Sequence, residues 1–230
     1  MTNVHFAAVG LAAGYGGIPV IRDVNLELRR GEVTVMLGAN GAGKTTTLLA
    51  LSGDLPLTEG TVEFRGATLT SSLWQRARSG MSYISEEHGV IRSLTVHENL
   101  RLALKKPLAA LELFPELREH RHRKAGLLSG GQQKMLTLAM AIARKPDVLL
   151  ADELSLGLAP QIVQRLLRVV RGAADGGSAV LLVEQHARQA LAIGDQAVVM
   201  ARGRVMLTDS AEAVRANFTE LSAAYLGRRS

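Results

Sequence analysis

The stretch Gly38-Ala39-Asn40-Gly41-Ala42-Gly43-Lys44-Thr45 decides the fold. It is entered from Val33-Thr34-Val35-Met36-Leu37, a β-rich run with no breaker inside it. It leads into a helix-like segment over 44–52 that Gly53 stops. Strand, glycine-rich loop and helix in that order make a phosphate-binding loop. Glycines let the backbone turn its N–H groups inward on phosphate oxygens, and the helix aims the positive end of its dipole at the same point. Lys44 is then placed to reach the β- and γ-phosphates and Thr45 to ligate Mg²⁺, with Thr46 beside them in the first helical turn. The bland alternative is a plain turn, but the fixed positions, the strand before and the helix after make a demanding coincidence.

Outward from this loop, strand-like runs recur at 61–64, 81–85, 148–152, 179–184, 196–200 and 204–208, the last two joined by the Arg202-Gly203 turn. Helical patterns over 132–144, 160–174 and 187–193 separate several of them. This alternation predicts an α/β fold with a mainly parallel sheet covered on both faces. Two regions depart from it. Residues 1–30 suggest short strands and turns, an antiparallel β flank. Residues 95–145 are helix-rich and suggest a helical subdomain inserted before the strand at 148. No repeat, low-complexity tract or long linker divides the chain, so 1–230 is expected as one domain.

The run Val148-Leu149-Leu150-Ala151-Asp152-Glu153 is an apolar strand ending in two carboxylates. Asp152 can complete the Mg²⁺ shell that Thr45 begins, and Glu153 can orient or deprotonate an attacking water. Alone the pattern is weak, since many buried strands end in acids. Downstream of a phosphate loop it gains force.

Composition removes whole classes of chemistry. There is no cysteine, which excludes disulfides, thiolate metal sites and cysteine nucleophiles and fits a cytosolic setting. Aromatic residues are 3% of the chain, so aliphatic side chains must fill the core. No stretch reaches the ~18 apolar residues of a membrane-spanning helix. Residues 1–10 lack the basic-then-apolar layout of a signal peptide. Work at a membrane would then be done from the water side, with another chain. The formal net charge of +6 suits an anionic partner without naming one. The densest basic run, 118–124, has no interleaved aromatics of the kind a single-strand binder uses. It suggests a solvated helix face or loop, with a partner or headgroup contact as the alternative.

Leu128-Ser129-Gly130-Gly131-Gln132-Gln133 opens the helical pattern that runs to Arg144. Ser129 is a natural N-cap and the glycines expose free N–H groups, so the segment is either a second anion site or an ordinary capped helix start. Local physics does not choose. The segment nevertheless resembles the signature sequence of ABC-transporter ATPases, placed between phosphate loop and acidic strand as in that family. The resemblance implies a P-loop NTPase with a RecA-like, mainly parallel core, an N-terminal antiparallel β flank and an inserted helical subdomain. It also implies that two ATPase domains pair head to tail. Ser129, Gly130, Gly131 and Gln132 of one would then cover the γ-phosphate of an ATP held by Gly38, Asn40, Gly41, Ala42, Gly43, Lys44, Thr45 and Thr46 of the other. Tyr15, in Gly14-Tyr15-Gly16, falls where the family stacks an aromatic ring on adenine; otherwise it is a turn aromatic. Residues 154–160 fall where the family has its dimer-contact loop, with Leu154 in place of the usual proline.

Two positions differ from the common family pattern. Glu86, in Ile84-Ser85-Glu86-Glu87, replaces a Gln that links Mg²⁺ to the membrane partner. Gln185 replaces the usual switch His, with His186 one residue beyond. Together with Tyr15, 155–160, Val183-Glu184-Gln185, Arg188-Gln189-Ala190-Leu191 and Ala224-Tyr225-Leu226-Gly227, they resemble the LivF-type ATPases of branched-chain amino-acid importers, from about residue 11 to 227. That subfamily commonly has Asn where His186 stands, and a longer segment between 104 and 128.

The implied activity is Mg²⁺-dependent ATP hydrolysis powering import of a small solute, branched-chain amino acids first. Glu153 is the implied base or water-orienter and Gln185 the switch. Glu86 is implied both as a Mg²⁺ contact and as the link to the membrane partner. The implied partners are integral-membrane permease subunits, a second ATPase subunit (a related chain or a second copy) and, indirectly, a solute-binding protein. No nucleic acid is expected, and the implied place is the cytoplasmic face of the membrane. An amide at 185 cannot carry a proton charge as His can, so modest turnover is expected without partners. Three other readings have less behind them. One is a soluble ATPase of this family acting on nucleic acid or ribosomes, whose relatives carry a second ATPase domain or long coiled coils that 230 residues cannot hold. Another is an importer of another solute such as urea or amides. The third is a nearly inactive regulatory subunit, against which the Asp152-Glu153 pair speaks.

Overall fold

A computed structural model describes residues 4–86 and 89–226. Residues 1–3, Glu87 and Gly227, all drawn on above, lie outside the described residues. The strands are β1 (Val4–Tyr15), β2 (Ile18–Arg29), β3 (Val33–Gly38), β4 (Leu57–Phe64), β5 (Ala67–Thr68), β6 (Met81–Ile84), β7 (Val148–Asp152), β8 (Ala179–Val183), β9 (Gln196–Ala201) and β10 (Arg204–Ser210). The α-helices are α1 (Lys44–Ser52), α2 (Leu73–Arg78), α3 (Val96–Ala103), α4 (Gly130–Ile142), α5 (Pro160–Asp175), α6 (Ala187–Leu191), α7 (Ala211–Ala216) and α8 (Phe218–Leu221).

Successive side chains of a strand point to opposite faces, so a strand that is apolar throughout must be covered twice. The central strands obey this. Val33, Val35 and Leu37 of β3 join one buried cluster and Met36 the other. Leu149 and Ala151 of β7 and Val180 and Leu182 of β8 fall with the first, while Val148, Leu150, Leu181 and Val183 fall with the second. The sheet they form has the order β10-β9-β3-β8-β7-β6. Its pairings are parallel from β9 to β6, with β10 antiparallel at one edge. On its first face α4 to α7 contribute Leu136, Leu166, Val170, Leu191 and Val214. On its second face α1 is enclosed with the antiparallel sheet β2-β1-β4-β5, and Leu48 and Leu51 share a cluster with Phe6, Leu11, Ile21 and Val24.

One expectation is corrected and another gains detail. The expected short strands are long among the described residues: β1 and β2 have 12 residues each and pair as a hairpin. Register shifts around Leu11, with positive φ at Gly10 and Asp23, mark bulges that break the period-two pattern and hide the length of the strands. Gly16 and Gly17, both at positive φ, make the two-residue turn. Within 95–145, α-helix is confined to α3 and α4. The chain between them makes 3₁₀ turns at Pro107–Glu112, Pro115–Leu117 and Ala125–Leu127. Pro107 and Pro115 interrupt any continuous helix, while Leu111, Phe114 and Leu117 bury themselves as anchors. The basic run 118–124 is a largely exposed set of bends and turns whose backbone bonds to the start of α3.

Candidate active site

In a parallel sheet the carboxyl ends of the strands share one edge, where open α/β folds place their ligands. At that edge lies a cleft of about 530 Å³. It takes in Asn40, Gly41, Gly43, Lys44, Thr45 and Thr46 from the loop after β3. Glu86, Glu153 and Gln185, from just beyond β6, β7 and β8, stand in its wall with Val20 and Leu156.

The loop is shaped by what its glycines avoid. Gly43 has a φ of 102°, and a Cβ there would sit 2.7 Å from Ile21 Cγ2. At Gly38 a Cβ would sit 2.6 Å from the Met200 carbonyl oxygen. Gly43 is also the N-cap of α1, so no side chain caps the helix, and its first turn holds no acid. The first-turn N–H groups have no intrahelical acceptor. With the helix dipole they make an electropositive seat for an anion. Lys44 is buried; its Nζ donates to the carbonyls of Gly38 at 2.9 Å and Ala39 at 3.2 Å. Burial lowers its pKa, while nearby Glu153 and Asp152 act in the opposite direction.

Asp152 is 1% exposed, and neither of its carboxylate oxygens has a hydrogen-bond partner among the described residues. The Thr45 hydroxyl lies near enough to favour the charged form without reaching hydrogen-bond geometry. Burial pushes the Asp152 carboxyl up to about 6, helped by Glu153 and Glu86 and opposed by Lys44. A buried carboxylate without a partner is costly. This one, beside the Thr45 hydroxyl, has the hard oxygen chemistry that suits Mg²⁺, a cation typically held by one or two carboxylates plus substrate phosphates.

Glu153 has a φ of 45°, a left-handed backbone uncommon for a residue with a side chain. Its N–H donates to the Val183 carbonyl at 3.0 Å. Gln185 Nε2 donates to both Glu153 oxygens, at 2.9 and 3.0 Å. The neighbouring Glu184 is 2% exposed and turns away from the cleft. Its Oε1 accepts from the Ser155 N–H at 3.0 Å, and its Oε2 accepts the Ser155 hydroxyl proton. Burial raises its carboxyl to about 7 against these bonds. Ser155 Oγ also lies 2.9 Å from His186 Nδ1.

The remaining sequence candidates sit elsewhere. Ser129 caps α4, accepting from the Gln132 N–H at 3.3 Å while Gln132 Oε1 accepts from the Ser129 N–H. Gly130 lines a neighbouring groove that shares Glu86 and Leu156 with the cleft, but none of 129–132 enters the cleft itself. Tyr15, half exposed, is at the end of β1 beside the glycine turn and outside the cleft lining. Lys134 was not visible as a site residue in the sequence. One turn into α4, it donates to the Glu86 carbonyl at 2.6 Å, and Glu86, Glu184, Asp152 and Glu153 all oppose the lowering of its pKa by burial. Its only sequence signal is a lysine facing a cluster of acids from other segments.

The ABC transporter family model matches residues 21–155. The branched-chain amino acid transport ATP-binding protein BraG of Pseudomonas aeruginosa is 37% identical, over 93% of this chain and 95% of its own. The probable branched-chain amino acid transport ATP-binding protein LivF of Archaeoglobus fulgidus is 36% identical, over 88% and 91%. A solved ATP-binding cassette of an ABC transporter superposes with a TM-score of 0.85 at 23% identity, covering 96% of this chain and 97% of the other. Matched over residues 21–155 by the family model and over most of its length by relatives above 30% identity, the chain belongs to the ABC transporter ATP-binding family.

Proposed function

We propose that the cleft binds ATP with Mg²⁺ and hydrolyses it to power import of branched-chain amino acids. The observation that carries the chemistry is the partnerless, buried Asp152 beside Thr45, with Glu153 next to it and Lys44 across the cleft. The solute class rests on the names of the relatives, BraG and LivF. Thr45 and Asp152, with Glu86 at the rim, would hold Mg²⁺, which when bound neutralises phosphate charge. The N–H groups of 40–46 hold the phosphates, and Lys44 leaves its two carbonyls to join them. Tyr15 stacks on adenine. Glu153 orients the attacking water and takes its proton. Gln185 Nε2 donates to both Glu153 oxygens, which fixes the orientation of the carboxylate toward the cleft.

Ser129, Gly130, Gly131 and Gln132 lie outside this chain's cleft. That favours their use on the nucleotide of a second ATPase subunit, related or identical, paired head to tail. Segment 95–145 acts as a helical subdomain that, with the Glu86 loop, meets integral-membrane permeases at the cytoplasmic face. No helix among the described residues is long and apolar enough to cross a membrane, so the permeases must supply the path. The experiment is to tag the chain in its native cell, solubilise the membranes mildly and identify what co-purifies. Permease subunits and a second ATPase are expected, and their binding protein should then retain leucine, isoleucine or valine. Ribosomes or nucleic acid without membrane protein would overturn the transport reading.

A further inference from the structure

His186, Ser155 and Glu184 form a chain of contacts that the hydrolysis chemistry does not use. A serine hydroxyl has one hydrogen. Here it goes to Glu184 Oε2, and the Ser155 N–H goes to Oε1 of the same carboxylate. While Glu184 is ionised, His186 Nδ1, 2.9 Å from the hydroxyl oxygen, is the donor of the remaining contact. Glu184 and Ser155 are buried, whereas His186 is exposed at the N-cap of α6.

Ser155 is well placed to transmit this restraint. It stands two residues after Glu153, whose left-handed backbone persists only if its surroundings hold it. The Ser155 carbonyl accepts from the Leu158 N–H at 3.2 Å, closing the turn that carries Leu156 into the cleft wall. Leu158 in turn packs at the start of α4, 3.9 Å from where a Gly130 side chain would begin.

We propose that Glu184, Ser155 and His186 are a latch that positions Glu153 and the turn after it, with His186 holding the Ser155 hydroxyl toward Glu184. This rests on the ATPase reading of the cleft. The three are positioning residues: none lines the cleft. An asparagine amide can offer an N–H from nearly the place of a histidine Nδ1, so His186→Asn should preserve the latch and His186→Ala should open it.

The test pairs two readouts on the full chain. The first is hydrogen exchange of backbone amides over 153–159, measured without nucleotide. The second is the split of ATP turnover into kcat and KM, with ATP affinity measured separately. In His186→Ala, exchange over 153–159 should quicken about tenfold, the size of one lost hydrogen bond. Exchange in β3 and α1 should stay unchanged, kcat should fall by a similar factor, and ATP affinity should hold within about twofold. His186→Asn should recover both readouts. Ser155→Ala, which removes both hydroxyl contacts, should quicken exchange at least as much as His186→Ala, and the double variant should be no worse than Ser155→Ala, because both changes cut one chain of contacts. Parental exchange over 153–159 in His186→Ala would overturn the latch, as would failure of Asn to recover it. Because the exchange readout needs no nucleotide, it separates failure of the latch from failure of the ATPase reading. That reading would fail instead if the parent chain bound no ATP.

Discussion

The two walls of the cleft are built by opposite means. The glycine-rich loop is one contiguous stretch, made of backbone, with glycines where a side chain would collide and a lysine bonded to the loop's own carbonyls. The facing wall is assembled from side chains on separate strands, and Gln185 and Glu153 meet across 32 residues of sequence. The first wall is held by conformation and the second by buried charge. They should therefore fail differently: the loop through packing and affinity, the acid wall through turnover and pH.

The largest effect should come from the acid wall. Glu153→Gln keeps the shape and removes the charge, so turnover should drop by roughly 10²–10⁴-fold, the usual worth of a general base, while ATP binding persists. Phosphate release measured beside nucleotide binding checks this. Parental turnover would remove Glu153 from the chemistry.

Next is the pH dependence of stability. Glu184 titrates near 4.5 when unfolded and about 7 when folded, because burial disfavours its charge. Between those values the folded chain holds a proton that the unfolded chain has lost. Stability from this group is therefore fully present below about pH 4.5 and is lost as pH rises toward 7, by roughly 3 kcal/mol. Asp152, raised to about 6, adds a loss of the same sign over a lower window. Denaturant midpoints between pH 5 and 8 should show the decline, and Glu184→Gln should flatten its upper part. A parental slope in that variant would contradict the assignment.

The smallest effect belongs to the loop. Gly43→Ala adds a Cβ against Ile21 Cγ2 at a φ of 102°. The contacted methyl sits on a stiff β-branched side chain, so the cost should be about 1–3 kcal/mol of stability. Because this wall carries no buried charge partner at Gly43, that cost should not change between pH 5 and 8.

The same contrast explains what could be foreseen. The loop, α1 and β7 were legible because their signals are local: glycine spacing, a stop at Gly53, an apolar run ending in acids. The capped start of α4 was legible through Ser129 for the same reason. The length of the β1–β2 hairpin was not, since bulges near Gly10 and Asp23 scramble the alternation. The 3₁₀ turns between α3 and α4 were hidden because prolines and short apolar anchors leave no clear period. The bonds among Glu153, Gln185, Glu184, Ser155 and His186 were beyond reach, because only the sheet register brings β7 and β8 together.

The central claim is that this cleft is a nucleotide site gripped by Lys44. A calorimetric titration of ATP with Mg²⁺ into the parent chain and Lys44→Ala tests it most directly. Saturable binding in the parent, weakened about tenfold or more in the variant by loss of a charge-assisted contact, is the predicted result. Equal affinity in the two proteins would contradict it.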